Sequence, residues 1–437
     1  MTAASRSAPE GRSGSQPVAD RPPRWFCGID WSEGLNDVAV VDRLGVVVAR
    51  ARIPATPAGV RDLIAVLGRL SASHTHGRRQ VPVAIETNRG LLVEALRERR
   101  QPVFQIPPNV VAGDRRRHAP APKKSDRSDA ELLALILRDG WGRLRPLPER
   151  SAQSSAITVL AHAQLRAQHV RQRLQVTLRS LLREAHPAAV DAWSHLDFGL
   201  RRAEARAVLA AAPTAAAANR LTQYRLAKIL AGAGRTRLVD LEAYRLRDLF
   251  AEPVLRPPAP VERALAAEVQ AVLAQFDHAC IASDQLTDQL TELFSEHDSA
   301  PVYLSFPGCG PLIGARLLAE LGDDPARFAT AAGLRAYAGL APLTWASGSS
   351  RLVTHRRICN RRLKTVCHRW AFSALTRSPG ARLLYDRRRA AGDTYAGALR
   401  RVAGRLLGGL HHCLATGETY DEQRAFPPRG PAAGGGR

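Results

Sequence analysis

The sequence lacks the features that mark a membrane-spanning or a secreted, disulfide-rich protein. It contains no apolar run approaching the roughly 20 residues that a transmembrane helix needs, and residues 1–23 have no apolar core like that of a signal peptide. Its 6 cysteines are scattered without a CxxC pair, which fits neither a disulfide framework nor a zinc site. We therefore expect a cytoplasmic protein with reduced cysteines.

Acidic residues are scarce relative to basic ones. The 437 residues include 63 Lys and Arg but only 40 Asp and Glu, which gives a formal net charge of +23. Such an excess repels itself unless a polyanion is the partner, so nucleic acid is the favoured partner and the nucleoid the expected location. A membrane surface is the weaker alternative.

The first part of the chain has the order of elements of an RNase H-like α/β fold. Strand-type runs and helical periodicities alternate along the segments WFCGIDWS, NDVAVVD, VVVARARI, TPAGVRDLIAVLGRL, VPVAIE, NRGLLVEALRERR, QPVFQI and KKSDRSDAELLALIL. The resulting order, β-β-β-α-β-α-β-α, is that of the RNase H-like fold, and another α/β sandwich is the alternative.

Strand patterns stop after about residue 150, where a long basic helix begins that ends at Pro187. In a second long helix, apolar or small residues alternate by four and three, as in a heptad seam: Leu265, Val269, Val272, Phe276, Ala279, Ser283, Leu286, Leu290 and Leu293. We expect the two helices to pair antiparallel within the chain, or to pair between protomers.

These patterns predict a domain organisation. The predicted parts are a disordered segment over 1–23, an RNase H-like domain over 24–150, a helical coiled-coil region over 151–300, a mainly α-helical domain over 301–423 and a disordered tail over 424–437.

Four acidic residues are candidate metal ligands, and two of them stand where a carboxylate is costly unless it is paired or bound to a cation. Asp30 ends the apolar run in GIDWS, and Glu86 ends VPVAIE in the same way. Asp126 and Asp129 lie three residues apart at a helix start and project from one face. Their oxygens suit Mg²⁺ rather than zinc, and two such ions stabilise the entering and leaving oxygens of a phosphoryl displacement.

Each acid taken alone also fits an ordinary structural role. Asp126 can cap a helix, Asp129 can interact with the helix dipole, and Asp30 and Glu86 can be strand ends that face water. Their joint occurrence along this order of elements favours a metal-dependent phosphoryl-transfer site.

Basic residues and glycines form the other candidate contacts with nucleic acid. Residues 351–369 contain no acid, and their candidate phosphate contacts are Arg351, Arg356, Arg357, Arg361, Arg362 and Lys364. A second group precedes Asp126 and either holds nucleic acid near the acids or forms a solvated loop: Arg115, Arg116, Arg117, Lys123 and Lys124. Gly308 and Gly310 lie in a turn that opens a helix, which resembles a helix-hairpin-helix element contacting phosphates.

Taken together, the motifs resemble the DEDD-type insertion-sequence transposases, the family that includes the pilin-gene invertases and the RNA-guided bridge recombinases. The resemblance covers about residues 25–415 and is carried by GIDWS, AIETNRG, KKSDRSDAELLALIL, SFPGCGPLIGARLLAELGD and GLRAYAGLAPLTWASG. The most specific pieces are the K-S-D-x-x-D-A run and the A-P-x-x-x-x-S-G segment.

The resemblance implies a composite site for cutting and rejoining DNA. The first domain is similar to RuvC-type Holliday-junction resolvases, and the four acids fall on its metal-ligand positions. Ser347 falls on the position of a serine nucleophile that holds DNA as a phosphoserine ester, with Ser349 and Ser350 as the neighbours onto which the register can shift. In this family, protomers of a homo-oligomer, a dimer or a tetramer, combine the two parts, and a noncoding RNA of the element pairs with donor and target DNA.

The sequence thus predicts a Mg²⁺-dependent transposase or site-specific recombinase with a serine nucleophile and an RNA guide. The alternatives are a junction-type nuclease that uses metal-activated water, a DNA invertase without RNA guidance, and a non-catalytic nucleic-acid-binding relative. Tyr337 and Trp345 flank the serine segment and belong either to a base-stacking surface or, as is favoured, to the core.

Overall fold

The computed structural model describes residues 22–72, 80–118, 126–195, 199–347 and 350–427. Within these ranges, it describes only the backbone at 117–118, 126–128, 344–347, 350–353 and 355. The chain divides into two compact units, unit 1 (Met1–Glu149) and unit 2 (Arg150–Arg437).

Unit 1 contains a mixed five-stranded sheet in the order β3-β2-β1-β4-β5. Its strands are β1 (Trp25–Asp30), β2 (Leu35–Asp42), β3 (Val47–Pro54), β4 (Val83–Ile85) and β5 (Val103–Gln105). Strand β2 runs antiparallel to both β1 and β3, whereas β1, β4 and β5 run parallel to one another. The helices are α1 (Pro57–Ala72), α2 (Leu91–Glu98), α3 (Pro108–His118) and α4 (Asp126–Asp139). The mixed sheet and its helices are compatible with an RNase H-like domain, but α3 was not predicted.

The sheet of unit 1 buries both of its faces, because successive side chains of a strand point to opposite sides. Ile29 and Ile85 lie in one core together with Leu63 of α1 and Leu96 of α2. The opposite face packs against α4 through a second core that contains Phe26, Val41, Ala84, Phe104, Leu133 and Leu137.

Helix α4 crosses β1 at Gly28. A Cβ atom at this position would lie 2.0 Å from the carbonyl oxygen of Ala130 and 2.5 Å from the nitrogen of Ala134. Phe26, earlier in the strand, contacts the ring of Trp141, beyond the end of α4, with ring centroids 5.8 Å apart. Helix α4 therefore runs antiparallel to β1, and its first turn lies at the level of the end of β1.

Unit 2 is predominantly helical. Its elements are α5 (Ala152–Ala185), α6 (Pro187–Ala192), α7 (Ala203–Ala211), α8 (Ala215–Asn219), α9 (Gln223–Gly232), α10 (Val239–Ala251), α11 (Ala259–Ser295), α12 (Ala300–Leu304), α13 (Pro311–Leu321), α14 (Ala331–Tyr337), β6 (Pro342–Ser347), β7 (Ser350–His355), α15 (Arg361–Ala374), α16 (Pro379–Ala390), α17 (Tyr395–Thr416) and α18 (Glu422–Ala425). The hairpin of β6 and β7 lies within the region for which the sequence predicts a mainly α-helical domain.

The long helices α5 and α11 pair antiparallel within the chain. Gln164 donates to the hydroxyl of Thr287 at 2.9 Å, and Arg171 donates to the carboxylate of Asp284 at 3.2 Å. Residue numbers therefore rise along α5 as they fall along α11. This confirms the antiparallel pairing within one chain.

The buried stripe of α11 has a register different from the predicted heptad seam. Its buried members include Val269, Leu273, Phe276, Cys280, Ser283, Leu290 and Phe294. The predicted residues Val272, Ala279 and Leu293 are each followed by one of these and are only half-buried. The predicted seam is therefore wrong by one position at Val272, Ala279 and Leu293. The reason is that α11 also packs against α7 and α13 and so buries a wider face than a two-helix seam.

Unit 2 has two hydrophobic cores. One surrounds Trp193 and Phe276 and gathers α6 to α10 against the long helices. The other surrounds Tyr303 and Trp370 and joins the opposite ends of the long helices to α12 through α17. The long helices therefore contribute to both cores, and the domain boundary at residue 300 stays a prediction.

The predicted disordered tail overlaps with a packed segment. Helix α18 ends at Ala425, and Phe426 packs against the second core. The predicted start of the tail at 424 is thus too early, and residues 1–21 and 428–437 lie outside the described residues. All 6 cysteines fall in described ranges and are free thiols. In the described parts of the chain, no helix is both long and apolar enough to cross a bilayer.

Candidate active site

Asp30 and Glu86 lie at the same level of two adjacent strands. β1 and β4 are parallel, with Ile29 opposite Ile85, so the next residue of each strand is an acid. Both acids are half-buried. The sheet therefore brings together the first two predicted carboxylates.

Both carboxylates belong to the face of the sheet that α4 covers. Strand alternation puts Asp30 on the side of Gly28, and Glu86 on the side of Ala84. Gly28 meets the backbone of α4, and Ala84 belongs to the core that α4 helps to form. The acids therefore stand at the margin of this face, beside the first turn of α4.

A third carboxylate, Asp37 of β2, extends the row. Asp37 is the register partner of Asp30, so the two side chains lie on one face of the sheet. Asp37 is buried and lies 3.5 Å from the guanidinium of Arg52 on β3. Like charges directly opposite in a sheet are destabilising. The row of Asp37, Asp30 and Glu86 therefore concentrates negative charge at this edge of the sheet, and Arg52 offsets part of it.

Helix α4 carries the other two predicted acids. The side chain of Asp129 is buried and accepts a hydrogen bond from the guanidinium of Arg115 on α3. Asp126 is the first residue of α4, and only its backbone is described. The structure thus places both acids in the first turn of the helix that crosses β1.

The donor set fits a hard divalent cation. Carboxylate oxygens are the ligands that Mg²⁺ prefers, and three strands and one helix end supply them here. Among the described side chains, no group of three His, Cys, Asp or Glu is arranged as a metal site, and the side chain of Asp126 is outside that set. The candidate ligands are Asp30, Glu86, Asp126 and Asp129, with Asp37 beside them.

Ser347 is the last residue of β6 and pairs with Ser350 at the start of β7. The two residues between them, Gly348 and Ser349, lie outside the described residues, and Ser347 and Ser350 are described by their backbones only. The predicted nucleophile therefore stands next to the turn of a hairpin that begins five residues after the last residue of α14.

The predicted basic contacts fall into two groups. Arg356 is half-buried, Arg357, Arg361 and Arg362 are exposed, and Lys364 is half-buried. For Arg351 the structure describes only the backbone and not the side-chain contacts.

The second basic group lies around α3. Arg115 is engaged with Asp129, Arg116 is exposed, and only the backbone of Arg117 is described. Lys123 and Lys124 lie outside the described residues. The structure therefore gives Arg115 a partner inside the acidic site, which the sequence did not predict.

The glycine turn has a packing role in addition to the predicted one. Gly308 has a φ of +71°, and a Cβ atom there would lie 2.7 Å from the nitrogen of Ala374 on α15. Gly310 precedes α13 and is exposed. Close packing explains Gly308, while a phosphate contact at Gly310 stays a prediction.

A buried network that the sequence did not reveal lies near the base of the hairpin. The carboxylate of Glu320 on α13 accepts hydrogen bonds from Asn360 at 2.6 Å and Arg362 at 2.7 Å, and it lies 2.8 Å from the imidazole of His162. Burial alone would raise the pKa of Glu320, but the contacts with His162, Asn360 and Arg362 outweigh it and lower the pKa to about 2. The sequence did not indicate this network, because its residues come from three segments that lie far apart along the chain.

Two parts of the chain match transposase families. Residues 27–187 match a family model for DEDD transposases of the IS110 type, described as a transposase, and residues 301–386 match the transposase IS116/IS110/IS902 family. The first match spans the acidic site, and the second spans the hairpin of Ser347.

A relative covers most of the chain. The putative mini-circle transposase for IS117 of Streptomyces coelicolor is 47% identical over 406 residues, which are 92% of this chain and 97% of that protein. The chain therefore belongs to the IS116/IS110/IS902 family of insertion-sequence transposases. Membership implies an enzyme that cuts and rejoins DNA.

Further relatives match about a third of the chain. The uncharacterized 43.6 kDa protein of insertion element IS110 from Streptomyces coelicolor is 40% identical over 139 residues, 32% of this chain and 34% of that protein. The uncharacterized 42 kDa protein of IS900 from Mycobacterium paratuberculosis is 38% identical over 159 residues, 36% of this chain and 40% of that protein.

Proposed function

We propose that this transposase is a Mg²⁺-dependent serine recombinase that excises and inserts its own insertion sequence. The observation that carries the proposal is the row of carboxylates at the end of β1 and β4, with the first turn of α4 at the same level. The order of the strands supports an RNase H-like, RuvC-like identity for unit 1.

Four acids are proposed to hold two Mg²⁺ ions. Asp30 and Glu86 would bind from the sheet, and Asp126 and Asp129 from α4. When bound, the ions neutralise charge on the scissile phosphate and stabilise the entering and leaving oxygens. Asp129 accepts the hydrogen bond from Arg115 through one carboxylate oxygen, so its other oxygen would serve this role while Arg115 orients the carboxylate. Asp37 adds negative charge beside Asp30, and its ion pair with Arg52 offsets part of that charge.

Ser347 is proposed as the nucleophile. Its hydroxyl oxygen loses its proton and forms a bond to the scissile phosphorus as the bond from phosphorus to the strand oxygen breaks. The leaving oxygen takes up a proton and becomes a strand hydroxyl, and the other strand end remains as a phosphoserine ester. The ester conserves the energy of the phosphodiester, so a strand hydroxyl rejoins DNA without ATP. The hairpin supports this role, because its short turn places Ser347 at the end of a paired strand.

DNA is the substrate, and we further propose an RNA guide and a homo-oligomeric assembly, a dimer or a tetramer. The net charge of +23 supports a large nucleic-acid partner and a location on the nucleoid. Inspection of the noncoding DNA that flanks the gene tests the guide. A structured transcript whose loops match both the element ends and the insertion site is expected, and its absence would rule out RNA guidance while leaving the recombinase.

Two alternatives make different predictions. A junction-type nuclease uses metal-activated water and does not need Ser347 for cleavage. A non-catalytic nucleic-acid-binding relative does not need the acids, and the presence of all four carboxylates argues against it.

The serine is tested by trapping a covalent protein–DNA adduct. Wild-type protein is incubated with Mg²⁺ and DNA that carries the element ends, denatured, and resolved by electrophoresis. Ser347→Ala should abolish both the adduct and strand exchange, because no ester can form. Ser349→Ala and Ser350→Ala are matched controls that should retain both. Cleavage without an adduct in Ser347→Ala would favour the nuclease, and loss in a control alone would move the nucleophile to that serine.

The acids are tested in the same assay. Asp30→Asn should lower the rate of adduct formation by at least about a thousandfold, since it removes a proposed metal ligand. Asp62→Asn, at an exposed position on α1, should leave the rate unchanged. Full activity in Asp30→Asn would contradict the proposed metal site.

A further inference from the structure

Unit 2 contains a pocket between the end of α14 and the segment that leads from β7 into α15. Its volume is about 570 Å³, within the roughly 300–1,000 Å³ of sites that bind small organic groups. Ala336, Tyr337, Ile358 and Cys359 form its apolar wall, and Arg356, Asn360, Arg361 and Arg362 supply polar groups. The pocket is far larger than a single phosphate requires.

The charge of the pocket is positive. Arg362 donates to Glu320 at 2.7 Å, whereas neither Arg356 nor Arg361 forms an ion pair with any described residue. The Nε atom of Arg356 is buried and has no hydrogen-bond partner among the described residues. A buried donor without a partner is costly and favours a ligand that accepts a hydrogen bond.

An apolar side chain stands at the rim of this pocket. Ile358 is 93% exposed and lies between Arg357 and Cys359. Water solvates such a side chain poorly, and DNA-binding proteins insert isoleucine between base pairs as a wedge. Arg356 and Arg361, which line the same pocket, would contact the phosphate next to the inserted residue.

The segment that carries Ile358 is held in place by hydrogen bonds of Asn360. The backbone nitrogen of Asn360 donates to the carbonyl of Tyr337 at 2.9 Å, and its side-chain amide donates to the hydroxyl of Tyr337 at 2.9 Å. The same amide donates to the buried Glu320 at 2.6 Å. A wedge needs such a rigid base, because a mobile side chain would yield to the stacked bases.

We propose that this pocket holds one unpaired nucleotide of a DNA strand, and that Ile358 fills the gap which the nucleotide leaves in the base stack. Arg356 and Arg361 contact the phosphate of the extruded nucleotide, and Tyr337 and Cys359 line the space for its base. The apolar wall favours a nucleotide over a phosphate alone, and the concave shape favours an extruded base over an intact duplex. This inference rests on DNA as the substrate but not on the serine or the metal.

Binding of three short DNA duplexes tests the proposal. They have the same sequence and are fully paired, carry one unpaired nucleotide, or carry one unpaired abasic site. Fluorescence anisotropy measures each dissociation constant for the full-length wild type. The duplex with the unpaired nucleotide should bind about five- to tenfold more tightly than the other two, since base contact is the difference.

Ile358→Ala should remove this preference while leaving affinity for the paired duplex within about twofold. Leu255→Ala is the matched control, since Leu255 is 96% exposed and lies away from the pocket residues in sequence. Both side chains are exposed, so both variants should fold, and circular dichroism verifies this.

Each of the following results would overturn the proposal. Equal binding of the abasic and nucleotide bulges would show that no base is recognised, and a preference that survives Ile358→Ala would exclude the wedge. Tighter binding of an RNA duplex with the same bulge than of its DNA counterpart would exclude DNA as the source of the nucleotide. Binding of paired DNA without any bulge preference refutes the pocket and leaves the recombinase proposal intact, whereas no DNA binding refutes both.

Discussion

Glu320 is a charged residue buried in the interior of unit 2. Its pKa of about 2 lies below the ordinary value of 4.5, so the folded state favours the ionised carboxylate. The sign follows from the direction of the shift. The stabilisation is fully present above about pH 4.5 and is lost as the pH falls through about 2.

Glu320→Gln should lower the free energy of unfolding at pH 7 by about 3 kcal/mol, which corresponds to the lowering of the pKa from 4.5 to about 2. Chemical denaturation at several pH values measures it. The difference from wild type should shrink between about pH 4.5 and pH 2. Glu296→Gln, at an exposed position after α11, should cost little at any pH. A difference that does not change with pH would show that Glu320 acts by packing alone.

Asp37 shows why residue-level prediction from the sequence was incomplete. Asp30 and Glu86 were recognisable because each ends an apolar run, as a strand-end acid does. Asp37 stands at the start of a run, seven residues after Asp30, where acids are ordinary. Only the antiparallel register of β1 and β2 makes the two acids direct neighbours. The sequence does not specify that register, so the third carboxylate of the row was missed.

Secondary-structure elements position the acids, and the contact of α4 with β1 is the tightest constraint on them. At Gly28 the helix backbone lies against the strand, with no room for a side chain. The first turn of α4 can therefore reach the end of β1.

Gly28→Ala should lower the free energy of unfolding by about 1–3 kcal/mol, because the added methyl group overpacks this contact. Urea denaturation of the full-length protein measures it. The same variant should reduce adduct formation, since α4 shifts away from Asp30. Gly34→Ala is the matched control, because a Cβ atom there meets nothing within 4 Å. Unchanged stability in Gly28→Ala would contradict the close approach.

At the scale of elements, the strands and long helices were predictable and the hairpin of β6 and β7 was not. Apolar residues recur every second position in a strand and every three to four positions in a helix, and long segments show these periods clearly. This explains why β1 to β3, α5 and α11 were predicted correctly. The hairpin has six-residue strands within a region of helices, and its turn is short. Helix α3 was missed because its apolar positions are few and its second half is basic.

The whole molecule carries a net charge of +23, which determines its non-specific affinity for DNA. Charge of this size attracts any duplex regardless of sequence, and counterion release makes that attraction depend on salt. Affinity for an unrelated duplex should therefore fall by about 10³-fold or more between 50 and 200 mM salt. A nearly flat dependence would show that the basic residues do not face DNA.

A single substitution refines this experiment. Arg361→Ala should reduce the slope of log affinity against log salt by about one, as for a lost phosphate contact. Arg382→Ala removes the same charge, but Arg382 pairs with Asp386 on α16. It should leave the slope unchanged, and equal effects of the two variants would show that only total charge matters.

The ion pair of Arg115 with Asp129 has a consequence for the cell that hosts the element. An enzyme that adheres to all DNA endangers its host if it is competent to cut wherever it lands. Under the proposed mechanism, the positive guanidinium of Arg115 repels the ion that Asp129 is proposed to bind, and this repulsion lowers the affinity of the site for that ion. An element that spares the chromosome between its rare movements is inherited with it, and a weaker hold on the ion favours that restraint.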